Sequence, residues 1–149
     1  MEKDKREEEL RRISIELRLL EQTAEALQSR IDMINAVMTD LTYANMSLEG
    51  LEKEKENSEL LVPIGGNSFI KAKLDNSDKL IVGMGASVSV EKTLQEAKEI
   101  VKKRLENTEK TRLSLQQQLS QVAEKMSAGR ERFESLVAEL RKEQSSKDV

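Results

Sequence analysis

Neither cysteine nor histidine occurs anywhere in the 149 residues. Their absence removes thiolate nucleophiles, imidazole bases, disulfides and the two commonest zinc ligands at once, so most enzyme mechanisms have no seat and no cofactor or metal is expected. A cysteine-free chain suits a reducing compartment. Aromatic rings are almost missing too, with only Tyr43, Phe69 and Phe133. Compact cores of this size lean on aromatic bulk, so an elongated, helix-rich molecule is the better expectation. Long apolar runs are lacking: the best, around residues 60–64 and 80–82, fall far short of a membrane span. Residues 1–12 form a charged run with no apolar stretch behind it, which argues against a secretory signal. The expectation is a soluble, cytoplasmic protein with no membrane partner. An excess of positive charge is also missing, since 25 Lys and Arg face 28 Asp and Glu for a net charge of -3. General nucleic-acid binding needs a basic surface and is not expected.

Helix breakers are few and concentrated. Pro63 is the only proline, and four of the six glycines lie between Gly65 and Gly85. They divide the chain into charge-dense arms, residues 1–57 with 9 basic and 14 acidic side chains and residues 91–149 with 13 and 11, around a centre that has 3 of each. The expected organisation is a helix over 1–57, two β-hairpins over 58–92 and a second helix over 93–149.

The first arm repeats at spacings of three and four through Leu10, Ile13, Leu17, Leu20, Ala24, Leu27, Ile31, Ile34, Met38, Leu41, Asn45 and Leu48. Eleven of these twelve positions are apolar, the pattern of a left-handed coiled coil. Asn45 reads as a register-fixing polar residue rather than a ligand. Gly50 weakens the arm's end by about 1 kcal/mol relative to Ala. In the last arm the repeat is Leu105, Thr108, Arg112, Leu115, Leu119, Val122, Met126, Gly129, Phe133, Leu136 and Leu140, entered through Leu94, Ala97 and Val101 with a one-residue jump near Arg104. So broken a stripe is a poor self-associating seam, and packing against the first arm is the simpler solution. Each arm would give roughly 75 to 85 Å of helix. Equal lengths and opposite charge excess favour an antiparallel pair.

Between the arms the period changes to two. Ile70, Ala72 and Leu74 alternate with lysines, Leu80, Val82 and Met84 form a second set, and Val88 and Val90 alternate with Ser87 and Ser89. Turn chemistry separates them at Gly65-Gly66-Asn67, at Asp75-Asn76-Ser77-Asp78 and at Gly85-Ala86, where Gly leads a two-residue turn. Thr93-Leu94-Gln95-Glu96 reads as a capping box opening the last helix. Two hairpins alone leave open edges and a wet core, so this segment should assemble with other chains.

Several motifs point nowhere. Ile81-Val82-Gly83-Met84-Gly85 runs like the start of a dinucleotide-binding turn, but the third glycine position holds Val88 and no strand and helix alternation follows. No phosphate-loop lysine follows Gly65-Gly66. Asn45-Met46-Ser47 is a chance glycosylation match inside a heptad helix, and Glu52, Glu54 and Glu56 form a solvated face. At the free end of the paired arms, Leu10, Ile13, Leu17, Phe133, Leu136 and Leu140 come together. They either close the coil or offer apolar surface where it frays, and the residues alone leave both readings open.

Residues 59–74, with Val62-Pro63-Ile64-Gly65-Gly66, and residues 79–93, with Ile81-Val82-Gly83-Met84-Gly85 running on to Val90-Glu91-Lys92, resemble the centre of archaeal-type prefoldin alpha subunits. Flanking heptad helices of equal length extend the likeness over essentially the whole chain. The resemblance implies a mainly α fold: a long antiparallel two-helix coiled coil joined by two β-hairpins that assemble into an intersubunit β-barrel. It implies a hexamer of two alpha and four beta subunits, an ATP-independent chaperone whose distal coil ends hold non-native proteins and pass them to a group II chaperonin. On this chain the assembly surface would be Leu61, Val62, Pro63, Ile64, Phe69, Ile70, Leu74, Leu80, Ile81, Val82, Met84, Val88 and Val90. The client-contacting tip would be Leu10, Ile13, Leu17, Phe133, Leu136 and Leu140. A coiled-coil adaptor or spacer in another complex is the alternative; it accounts for both arms and leaves the strands unexplained.

Overall fold

A computed structural model describes residues 1–75 and 78–147. Helix α1 (Glu2–Glu52) leads into strands β1 (Glu59–Gly65), β2 (Ser68–Lys73), β3 (Leu80–Gly85) and β4 (Val88–Lys92), and helix α2 (Leu94–Lys147) follows. The strands form two separate antiparallel hairpins, β1 with β2 and β3 with β4. Asn76 and Ser77 of the turn expected between the hairpins lie outside the described residues.

Neither helix meets a proline, and α1 stops soon after Gly50 rather than running to residue 57. Its last carbonyls accept i-to-i+3 bonds, Lys53 N–H to Gly50 O at 3.2 Å and Glu54 N–H to Leu51 O at 3.1 Å, as a tightening terminal turn does. Asn57 then takes the left-handed conformation at φ 64°. There its N–H reaches Leu74 O at 2.7 Å while Leu74 N–H reaches Ser58 O at 2.9 Å, tying the base of the first hairpin. Thr93 caps α2: its Oγ1 accepts the Glu96 N–H at 3.1 Å, the expected half of a capping box. The Glu96 carboxylate does not complete the box through the backbone; it accepts the Thr93 hydroxyl at 3.1 Å and pairs with Lys92 at 3.6 Å.

Every expected seam position on both helices is buried or half-buried. The helices contribute to two compact units, Met1–Asn35 with α2 from Thr111 onward, and Ala36–Lys110. In the first unit Leu27, Ile31 and Leu115 form a core with Ile34, Leu119 and Val122 packed around it. Opposite chain directions follow from its ion pairs, Arg6 with Glu139 and Glu143 and Glu21 with Arg130. Gly129, which interrupts the apolar seam, sits against Leu17: a Cβ there would lie 2.9 Å from Leu17 Cδ2, so a larger residue would make the end of that side chain shift. Asn45 donates to Glu49 Oε1 at 3.4 Å along its own helix.

The second unit holds the hairpins. Its core is Leu48, Ala97 and Val101, with Ala44, Leu80, Val82, Leu94 and Leu105 against it. Lys98 and Glu52 add an ion pair beside it. Both hairpins close on a tight turn that follows a bulge, between Pro63 and Gly65 in one and between Gly83 and Gly85 in the other. Gly66 (φ 55°) and Asn67 (φ 58°) make the first two-residue loop, with positive φ at both positions as right-twisted strands require. The second loop is Ala86 (φ 49°) and Ser87 (φ 62°), one residue later than the Gly85-Ala86 expected. The bulge is the reason, because it places Gly85 opposite Val88 as the last strand residue and moves Ser87 from strand to turn.

Candidate functional site

Residues 61–70 are exposed without a break, although most are apolar. Leu61 is 65 % exposed, Ile64 59 %, Phe69 57 % and Ile70 54 %, with Val62 also open. Soluble surfaces scatter such side chains singly, and here they are contiguous. Ladder register sorts them by face. Leu60, Val62, Ile70 and Ala72 lie on one side of β1–β2, and Leu61, Pro63, Phe69, Lys71 and Lys73 with Glu59 on the other. In β3–β4 the corresponding sides are Leu80, Val82, Val90 and Lys92, then Ile81, Gly83, Ser89 and Glu91.

Of the residues expected at the assembly surface, Leu80 and Val82 are half-buried and pack on the chain's own Leu48, Ala97 and Val101. Alternation explains it, since their face of β3 meets the helices while Ile81, between them, is 81 % exposed. Met84, Val88 and Val90 stay exposed, and Leu74 is half-buried at the hairpin base. Arg104, which the sequence reading did not single out, donates to the Gly83 carbonyl at 2.7 Å. Its signal was the one-residue jump in the seam, where the guanidinium leaves the helix pair for the hairpin.

The helix ends of the first unit show a different arrangement. Leu136 is completely buried and Ile13 nearly so, while Leu10, Leu17, Phe133 and Leu140 are half-buried. Thus Ile13 and Leu136 close the coil in this conformation instead of offering surface, because each lies at the centre of the seam. Ile15 and Leu19, outside the expected seam, are 54 % and 57 % exposed. They are four residues apart off the seam, a spacing that puts them along one exposed face. Leu19 joins Ile13, Leu20 and Gly129 in lining a groove of about 610 Å³ flanked by Glu16 and Lys125. Charge holds the helices near it: Arg132 donates to both Glu9 carboxylate oxygens, at 2.9 and 3.1 Å. That hydrogen bond holds the Glu9 carboxyl below its usual range and raises Arg132 in turn. Among the described residues no group of three or more Asp or Glu is placed to hold a metal, and no helix is long and apolar enough to cross a membrane.

Two long helices flanking a pair of hairpins are also what the comparisons with known proteins find. The model of a protein family described as Prefoldin subunit matches residues 20–139. The chain belongs to the prefoldin family. It is 33 % identical over 125 residues to the prefoldin subunit alpha of Methanosarcina barkeri, covering 82 % of this chain and 79 % of that one. To the prefoldin subunit alpha of Methanopyrus kandleri it is 31 % identical over 113 residues, covering 76 % and 72 %. The alpha subunit of Methanococcus vannielii aligns over 94 % of both chains at 28 % identity. A cryo-EM structure of filamentous PFD from Methanocaldococcus jannaschii has the same fold, with a TM-score of 0.65 at 24 % identity over 75 % of this chain and 93 % of that one. Prefoldin family members are chaperone subunits that form complexes with other prefoldin subunits.

Proposed function

We propose that this chain is the alpha-type subunit of a cytoplasmic, ATP-independent chaperone in which two copies combine with four beta subunits through residues 58–92, the hairpins joining in a β-barrel. The observation that carries the reading is the exposed apolar hairpin surface, Leu61, Ile64, Phe69 and Ile70 above all, in a chain of the prefoldin family. Each such side chain is a little more than half exposed, so association has about 1 to 2 kcal/mol of burial per side chain to recover.

Client capture falls to the helix ends of the first unit. Leu10, Leu17, Phe133 and Leu140 contribute partly covered apolar surface there, and Ile13 and Leu136 become available only when the coil frays. One end is worth too little to hold a non-native protein alone; several ends engaging one chain raise the effective concentration. Weak separate contacts also allow stepwise transfer to a group II chaperonin without ATP.

Native mass spectrometry of the chain co-expressed with a beta subunit tests the assembly. Two 16.9 kDa chains with four partners are expected, and a lone monomer or homodimer overturns the reading. For capture, Leu10→Ser with Phe133→Ser should leave that complex intact and weaken its suppression of aggregation of a denatured protein. Unchanged suppression overturns the assignment to this end.

A further inference from the structure

The two faces of the hairpins are not equally apolar. On one face of β3–β4, Leu80 and Val82 pack on the chain's own helices while Val88 and Val90 further along stay exposed; the other face holds Gly83, Ser89 and Glu91, with Ile81 the one large apolar residue. β1–β2 is apolar on both: Leu60, Val62, Ile70 and Ala72 on one side, Leu61, Pro63 and Phe69 on the other. An antiparallel sheet with one wet face alternates apolar with polar, whereas a strand apolar on both sides is built for burial on both. Its five large apolar side chains, 44 to 65 % exposed, leave on the order of 500 Å² uncovered, more than half of the roughly 800 Å² that each partner brings to a standard interface. Lys71 and Lys73, at the margin of the Phe69 face, hold no ion pair among the described residues.

Resting on the assembly reading above, we infer that β1–β2 is the internal element of the complex, covered on both faces by hairpins of other subunits, whereas β3–β4 is covered on one face, by its own helices at Leu80 and Val82 and by another subunit at Val88 and Val90, and keeps the other in water. The subunit over the Phe69 face presents an apolar sheet with an acidic margin, which pairs Lys71 and Lys73.

Because the chain has no cysteine, single Phe69→Cys, Ile70→Cys and Ser89→Cys variants give one thiol on each face of β1–β2 and one on the outer face of β3–β4. Each is assembled with beta subunits, and its reaction rate with a maleimide is compared with that of the same chain in denaturant. Phe69→Cys and Ile70→Cys should both react at least about tenfold more slowly than Ser89→Cys on that normalised scale, since a covered thiol must wait for local opening. Where either variant blocks assembly, Leu61→Cys and Val62→Cys report the same two faces. A complex of two and four chains in which either face of β1–β2 reacts as fast as Ser89→Cys overturns the inference and leaves the assembly reading standing. Failure of the unmodified chains to assemble overturns both.

Discussion

Leu60-Leu61-Val62-Pro63-Ile64-Gly65 and Leu80-Ile81-Val82-Gly83-Met84-Gly85 follow one plan twenty residues apart. Both ladders shift register before the final glycine, and both turns string three positive-φ residues together. Their surroundings differ. Val82 packs on the helix pair through Leu48, Ala97 and Val101, while Val62, its counterpart, stands 44 % exposed. One backbone plan therefore serves two ends, and side chains decide which: Phe69 faces Pro63 across the first ladder where Ser89 faces Gly83 across the second.

The sharpest way to break that comparison is to truncate the paired valines. Val82→Ala removes packing from the core of the second unit and should cost the isolated chain about 1 to 2.5 kcal/mol in urea unfolding. Val62→Ala deletes the same atoms where nothing covers them, so its cost should stay within about 0.5 kcal/mol. In the complex the order changes, because Val62 is then covered and its truncation should lower the concentration stability of the assembly, read by dilution. Equal costs in the isolated chain would mean that the hairpins are anchored alike.

A smaller difference lies in the turns. Gly66 and Asn67 take left-handed φ without strain, but Ala86 and Ser87 hold the same conformation with ordinary side chains, at roughly 1 kcal/mol each. Replacing Ala86 with Asn and Ser87 with Gly should raise stability by about 1 kcal/mol, and Gly66→Ala should lower it by a similar amount. Thermal melts of the three chains decide it. A neutral result for the Ala86 and Ser87 pair would show that strain in the second turn is relieved elsewhere.

How much of this was legible in the sequence depends on the range of the interaction. Seam positions on both arms, the four strands, a turn within Gly65-Gly66-Asn67 and the Thr93 half of the capping box all rest on periodicity or local chemistry, and the structure has each of them. The second turn slipped by one residue because a bulge is a property of the ladder and leaves no local mark beyond glycine. Inward and outward strand faces were not legible either. Alternation separates Leu80 and Val82 from Ile81 but cannot say which set meets the helices, and the resemblance put all three in the assembly surface alike. The same limit applied at the helix ends: heptad spacing selected Ile13 and Leu136, the best seam residues and hence the most covered, and passed over Ile15 and Leu19.

The least of the expected effects concerns Arg104, which has no counterpart at the first hairpin. Its guanidinium donates to Gly83 O at 2.7 Å and lies 3.9 Å from the Met84 sulfur, holding β3 to α2 near the turn. Pro63 occupies the place of Gly83 and brings no N–H to its pair with Phe69, so that pair is of the non-hydrogen-bonded kind and its carbonyl faces the outer edge of β1. By the shared plan the Gly83 carbonyl also faces outward, and Arg104 is its donor. Arg104→Met keeps the stem and removes an exposed bond, for an expected loss of about 0.5 kcal/mol. Amide exchange reads the effect locally: the β3–β4 ladder should exchange faster in the variant, with β1–β2 unchanged. Equal acceleration in both hairpins would mean that Arg104 supports the whole unit and not the second hairpin alone.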